Sequence, residues 1–171
     1  MKIDTNSLEK TIMNIYCLKT AYYTIIGPLT VGLILAGADE SIIQDINKFG
    51  EKIGIAFQIQ DDLLGIFSDD TGKVTGSDIK EFKQTILFSY IVKSSYKDEF
   101  LKIYGQDNLS EEVIMQIKDI IEKSNARKYA ENLMNNMYNE GLNLIKKINW
   151  INNDKKNLLI EFVEFLKNRN K

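Results

Sequence analysis

From Thr20 to Ala38 the chain reads TAYYTIIGPLTVGLILAGA, nineteen positions without one charged side chain. A helix apolar on every side must be covered on every side, by a protein core or by lipid. A membrane span needs about 20 predominantly apolar residues. Three threonines, two tyrosines, three glycines and Pro28 dilute this run, which favours a buried core helix over a span. The rest of the sequence suits a helical protein. It holds a single proline, and apolar residues recur at helical spacing over 8–26, 42–67, 82–104, 126–148 and 154–168. Pro28 is expected to kink or end the first helix, because it removes a backbone donor. The segment GADES, Gly37 to Ser41, marks a break and a new helix start. Ser110 is placed to cap a helix bearing Val113, Ile117, Ile120 and Ile121, and Asp154 to cap the last one. Residues 68–81, with Gly72, Gly76 and several aspartates, read as a loop. The expected architecture is an all-α bundle of about six to eight helices, one helical domain over residues 1–171.

Composition removes several classes of chemistry. The chain has no histidine, so the serine–histidine–aspartate triad and histidine metal sites are out of reach. Twenty-four acids against 22 bases leave a net charge of −2, with no electrostatic footprint for nucleic acid. The lone Cys17 forms no internal disulfide, as suits a reducing cytoplasm. The start, MKIDTNSLEK, lacks the apolar core of a signal peptide. A metal in such a chain is held by oxygen, and Mg²⁺ is the first candidate.

The stretch FQIQDDLLGIF supplies that oxygen. On a helix Gln58, Asp61 and Asp62 stand at i, i+3 and i+4 and share a face. Two carboxylates so placed repel unless a cation intervenes. Adjacent aspartates also occur on solvated surfaces, but these emerge from the apolar segment IGIAFQI. Gly72-Lys73 and then Lys83 follow across the glycine-bearing loop. Acids that hold Mg²⁺ and lysines that hold phosphate oxygens together describe a diphosphate site. Upstream, Lys19 reads by itself as a lysine snorkelling from the apolar run. Thr20 and Thr24, one turn apart, read by themselves as bonding back to the helix.

Three segments taken together, KTAYYTIIGP…GLILAG, FGEKIGIAFQIQDDLLGIF and TGKVTGSDIKEFKQT, resemble the trans-isoprenyl diphosphate synthases, in particular the geranylgeranyl and farnesyl diphosphate synthases. The closing LLIEFVEFLKNRNK is similar to that family's final helix. The resemblance covers nearly all of this chain but only the C-terminal half of the family. It implies that Asp61 and Asp62 are the second aspartate-rich motif and bind Mg²⁺. It implies that Lys19, Lys73 and Lys83 grip an allylic diphosphate. Thr20 and Gln58 would direct oxygen dipoles at the developing allylic cation, and Phe57 would lie beside the homoallylic substrate. The implied reaction is chain elongation with isopentenyl diphosphate, in which an apolar tunnel houses the growing tail.

The chain departs from that family at two positions and in a slightly short loop between Asp62 and Gly72. Gly65 stands where many members carry a third aspartate. Phe82 replaces a glycine common just before the second lysine, and is expected to reshape that turn. The family's first aspartate-rich motif has no counterpart; Asp69-Asp70 lacks the helical spacing. The expectation is a prenyltransferase half that works with a second chain, either a complementary N-terminal half or another copy, and is inactive alone. The competing expectation is a non-catalytic regulatory or binding subunit of a full-length synthase.

Overall fold

A computed structural model describes residues 5–67, 77–106 and 109–169, and among these every regular element is helical. In chain order they are α1 (Thr5–Tyr16), a π-helical segment (Cys17–Ile26), α2 (Gly27–Leu35), α3 (Glu40–Phe67), α4 (Ser77–Lys80), α5 (Ile86–Ile91), α6 (Lys97–Ile103), α7 (Glu111–Lys123), α8 (Ala126–Lys147) and α9 (Asn153–Lys167). The chain divides into two compact units. One comprises Met1–Met13, Ile59–Asn132 and Asn170–Lys171; the other comprises Asn14–Gln58 and Leu133–Arg169.

The sequence patterning accounts for most helix limits. Ser110 accepts from the Val113 amide at 3.3 Å and so caps α7, with Glu111 and Glu112 in the first turn where the helix dipole favours acids. The last helix is capped by Asn152, whose side chain accepts from the Lys155 amide at 2.9 Å. Asp154, expected as the cap, instead sits within the first turn. Helix α2 closes on Gly37, at φ 73°. There the Ala38 amide reaches the Leu33 carbonyl and the Gly37 amide reaches that of Ile34, a Schellman ending that glycine adopts without steric cost.

Further expectations are corrected. Ser77–Lys80, read as part of a loop, form the short helix α4. Pro28 does not end the helical run, which continues from Ser7 to Leu35. It falls in the first turn of α2, directly after the point where the π-helical segment gives way to α-helix. Residues 82–104 do not form one helix. Residues 82–85 are outside any helix, and a turn over 92–96, in which Ser94 donates to the Ile91 carbonyl at 2.8 Å, separates α5 from α6.

In the unit built on 14–58 and 133–169, α3 presents Ile46, Phe49, Ile53 and Ala56 to Tyr138, Leu142 and Ile145 of α8 and to Val163 and Leu166 of α9. These spacings mark one face of each helix. The uncharged run was expected to be buried all round, yet α2 has no buried residue. Within this unit its neighbours cover one side only. Tyr23 and Leu35 are 83% and 84% exposed, and Ile15, Leu18, Tyr22, Val31 and Ile34 join them. By length and composition the run Ser7–Leu35 suffices to cross a membrane, a test that core helices of soluble proteins also pass.

In the other unit, Ile59, Leu63 and Ile66 of α3 are buried, as are Ile86, Leu87 and Ile91 of α5, Phe100 of α6, and Ile114, Ile117, Ile120 and Ile121 of α7. Phe88, Phe100 and Tyr104 stack into an aromatic cluster, with centroids 4.6 to 5.7 Å apart.

Candidate functional site

Lys19 and Thr20 lie on the π-helical segment. A π-helix is rare, occurs mostly as a single-turn bulge, and is frequent at functional sites; here it extends over ten residues. Its close approach to α3 depends on Gly54. A Cβ there would fall 2.3 Å from the Cα of Ala21, so only glycine admits the backbone. Four residues further along α3 stands Gln58, and its side-chain oxygen accepts a hydrogen bond from the Thr20 hydroxyl. Thr20 is buried and bonds across to α3, instead of back to its own helix as the sequence alone suggested. Lys19 is exposed, as a snorkelling lysine is. Phe57, one residue before Gln58, carries the Arg169 guanidinium 4.3 Å above its ring centroid. Nothing in the sequence pattern singled out Arg169.

The second group belongs to the other unit. Asp61 and Asp62 sit on α3, with Asp62 buried and Asp61 half-buried. Lys83 lies just beyond α4, and its ammonium is 2.6 Å from the Asp78 carboxylate and 3.2 Å from Glu81. Burial works against that charge, but the hydrogen bonds to Asp78 and Glu81 outweigh it and the Lys83 pKa is raised. The backbone of Lys83 is fastened as well. Its amide donates to the Asp78 carbonyl at 3.1 Å, and its carbonyl accepts from the Tyr104 hydroxyl at 2.6 Å. Burial, then the nearby carboxylates of Asp78 and Asp62, push the Tyr104 phenol well above its usual pKa. Tyr104 therefore has both acids within electrostatic reach.

Phe82 was expected to reshape this turn. It takes φ 53°, a left-handed conformation that costs a non-glycine residue about 1 kcal/mol, and packs its ring edge-on to Tyr104 at 6.2 Å. Lys73 and Asp69-Asp70 lie outside the described residues. Asp78 and Tyr104 were missed by the sequence reading. For Asp78 the available signal was an acid five residues before Lys83 in SDIKEFK. Tyr104 is brought in by α6 and had no local signal.

Among the described residues no three acids, cysteines or histidines converge as a metal cage. Two neighbouring carboxylates still suit Mg²⁺, which is usually held by one or two carboxylates together with substrate phosphates and water.

Among the described residues the fold is all-helical, and comparison with known proteins shows it to be that of the prenyl synthases. The sequence pattern of the polyprenyl synthetase family matches residues 1–121, and the chain belongs to that family. It is 36% identical over 124 residues to the geranylgeranyl diphosphate synthase of Sulfolobus acidocaldarius, covering 70% of this chain and 37% of that protein. It is 30% identical over 141 residues to the geranylfarnesyl diphosphate synthase of Aeropyrum pernix, covering 81% and 44%. The crystal structure of geranylgeranyl pyrophosphate synthase from Corynebacterium glutamicum, complexed with isoprenyl diphosphate and magnesium, superposes with a TM-score of 0.86 at 30% identity, covering 94% of this chain and 47% of that one. The chain thus spans less than half the length of these relatives.

Proposed function

We propose that this chain provides the diphosphate-binding half of a Mg²⁺-dependent trans-prenyltransferase that elongates an allylic diphosphate with isopentenyl diphosphate. One observation carries this reading: Lys83 is fastened, side chain and backbone, in the unit that also holds Asp61 and Asp62, with Tyr104 feeling both Asp62 and Asp78. Asp61 and Asp62 would hold the metal, which when bound offsets the charge of the departing diphosphate. Lys83 takes a diphosphate oxygen, and Lys73 and Lys19 are assigned the same task by their place in the family pattern. A fixed cation costs no reorganisation as charge develops on the leaving group. The Thr20–Gln58 pair supplies uncharged oxygens, which favour a carbocation without forming a bond to it.

The remaining partner is a helical half that covers the apolar face of this one. A groove of about 530 Å³ runs between Thr24, Pro28 and Leu29 on one side and Leu158, Phe162 and Phe165 of α9 on the other. With the exposed residues of α2 it makes an apolar face larger than isolated surface residues explain. The extra length of the relatives, 37% and 44% of which are matched, points to their remaining helical half as the kind of cover that fits it. The competing reading is a non-catalytic regulatory or binding subunit of a full-length synthase.

The test mixes this chain with a helical half bearing the family's first aspartate-rich motif, together with Mg²⁺, an allylic diphosphate and radiolabelled isopentenyl diphosphate. Elongation that Asp61→Ala abolishes supports the reading. Elongation unaffected by Asp61→Ala, or none with any complementary half, sinks it.

A further inference from the structure

The backbone at position 65 opens a gap that another residue fills. Gly65 lies on α3 four residues after Asp61 and three after Asp62, hence on their face of the helix. A Cβ at Gly65 would stand 2.6 Å from Oδ2 of Asp78 and 2.8 Å from its Cγ. The carboxylate of Asp78 therefore occupies the volume that a residue-65 side chain would claim. Its other oxygen accepts from the Lys83 ammonium at 2.6 Å, and the Asp78 side chain is 5% exposed against 39% for Lys83 and 62% for Glu81.

These exposures separate the two ion pairs. A pair with one partner shielded from water is screened little, while an exposed pair is worth little. Lys83 has three N–H donors. The one given to Asp78 is held; the one near Glu81 is readily exchanged.

We propose that Asp78, seated against Gly65, is the positioning residue of Lys83. It fixes the ammonium beside the aspartate-bearing face of α3, so that a diphosphate oxygen takes the N–H now directed at Glu81. On this view Gly65 marks a gap through which an acid from α4 reaches that face. The proposal rests on the reading of Lys83 as a diphosphate-binding residue, and its test separates the two.

The experiment titrates the full chain with inorganic pyrophosphate in the presence of Mg²⁺ by calorimetry, with folding checked by circular dichroism. Asp78→Asn should weaken binding about tenfold, the scale of a charged hydrogen bond, and match Lys83→Ala. The double variant should bind no more weakly than Lys83→Ala alone, a coupling that a purely structural role would not produce. Glu81→Gln should bind more tightly than the parent. If Asp78→Asn does not fold, Gly65→Ala displaces the same carboxylate and should show the same loss. Parental affinity in a folded Asp78→Asn or Gly65→Ala chain overturns the positioning role, as does a loss that adds in full to that of Lys83→Ala. If the parent chain binds no pyrophosphate, or Lys83→Ala binds as the parent does, the diphosphate reading falls and the positioning role falls with it.

Discussion

The hydroxyl of Thr20 donates to the side-chain oxygen of Gln58, 38 residues further along the chain. The bond exists because the π-helical segment and α3 meet at Gly54, where the Ala21 backbone fills the space of a side chain. Gly54→Ala forces those backbones apart. Overpacking of this kind costs about 1–3 kcal/mol, so the variant should lose stability by that amount in urea denaturation. Thr20→Val, which keeps the shape but removes the donor, should cost less, about 1 kcal/mol.

Position 65 invites an apparent repair, since an acid there would join Asp61 and Asp62 on one face of the helix. Gly65→Asp should destabilise the chain, because the new side chain collides with the Asp78 carboxylate and sets a like charge beside it. Adding Asp78→Gly should recover part of the loss. Chemical denaturation of the two single variants and the double variant would show this as favourable coupling; strict additivity would contradict it.

Glu9 joins α1 to the rest of its unit through Lys93 at 2.8 Å and the Tyr129 hydroxyl. The Lys93 hydrogen bond, then that of Tyr129, hold its pKa below the usual glutamate value. A carboxylate with a depressed folded pKa stabilises the protein above its unfolded pKa and loses that contribution as pH falls through the folded value. Both partners are about one-third exposed, so the effect is small, about 0.2–1 kcal/mol. Glu9→Gln should lower the melting temperature slightly at pH 7, and the gap to the parent should close as pH falls from the ordinary glutamate value through the lowered one.

The apolar face of α2 and α9 should make the isolated chain self-associate. Replacing Leu35 and Phe165, both strongly exposed, with serine should shift sedimentation profiles towards monomer. Stability should change by no more than about 0.5 kcal/mol, as for surface positions. A parent chain that already sediments as a monomer at high concentration would remove the case for a covering partner.

Asn152 caps α9 through its side chain. Asn152→Ala should cost about 1 kcal/mol, and Asp154→Ala less, since Asp154 contributes only through the helix dipole. Thermal denaturation of both variants distinguishes them.

Local chemistry made much of this chain legible from its residues. The helical spacing of Ile46, Phe49, Ile53 and Ala56, the cap at Ser110 and the aspartates one turn from Gln58 are settled within a few positions of one another, because helix periodicity and capping are short-range. The tertiary structure alone decided the rest. Nothing near Thr20 shows that its hydroxyl meets Gln58, because the approach is set by a glycine on another helix. Nothing near Gly65 shows that Asp78 fills its gap, nor near Lys83 that Tyr104 holds its carbonyl. The apolar run was legible as needing cover, but which of its sides is covered depends on which helices pack against it. Contacts between residues far apart in sequence are fixed by packing volume and burial, and those quantities exist only once the chain has folded.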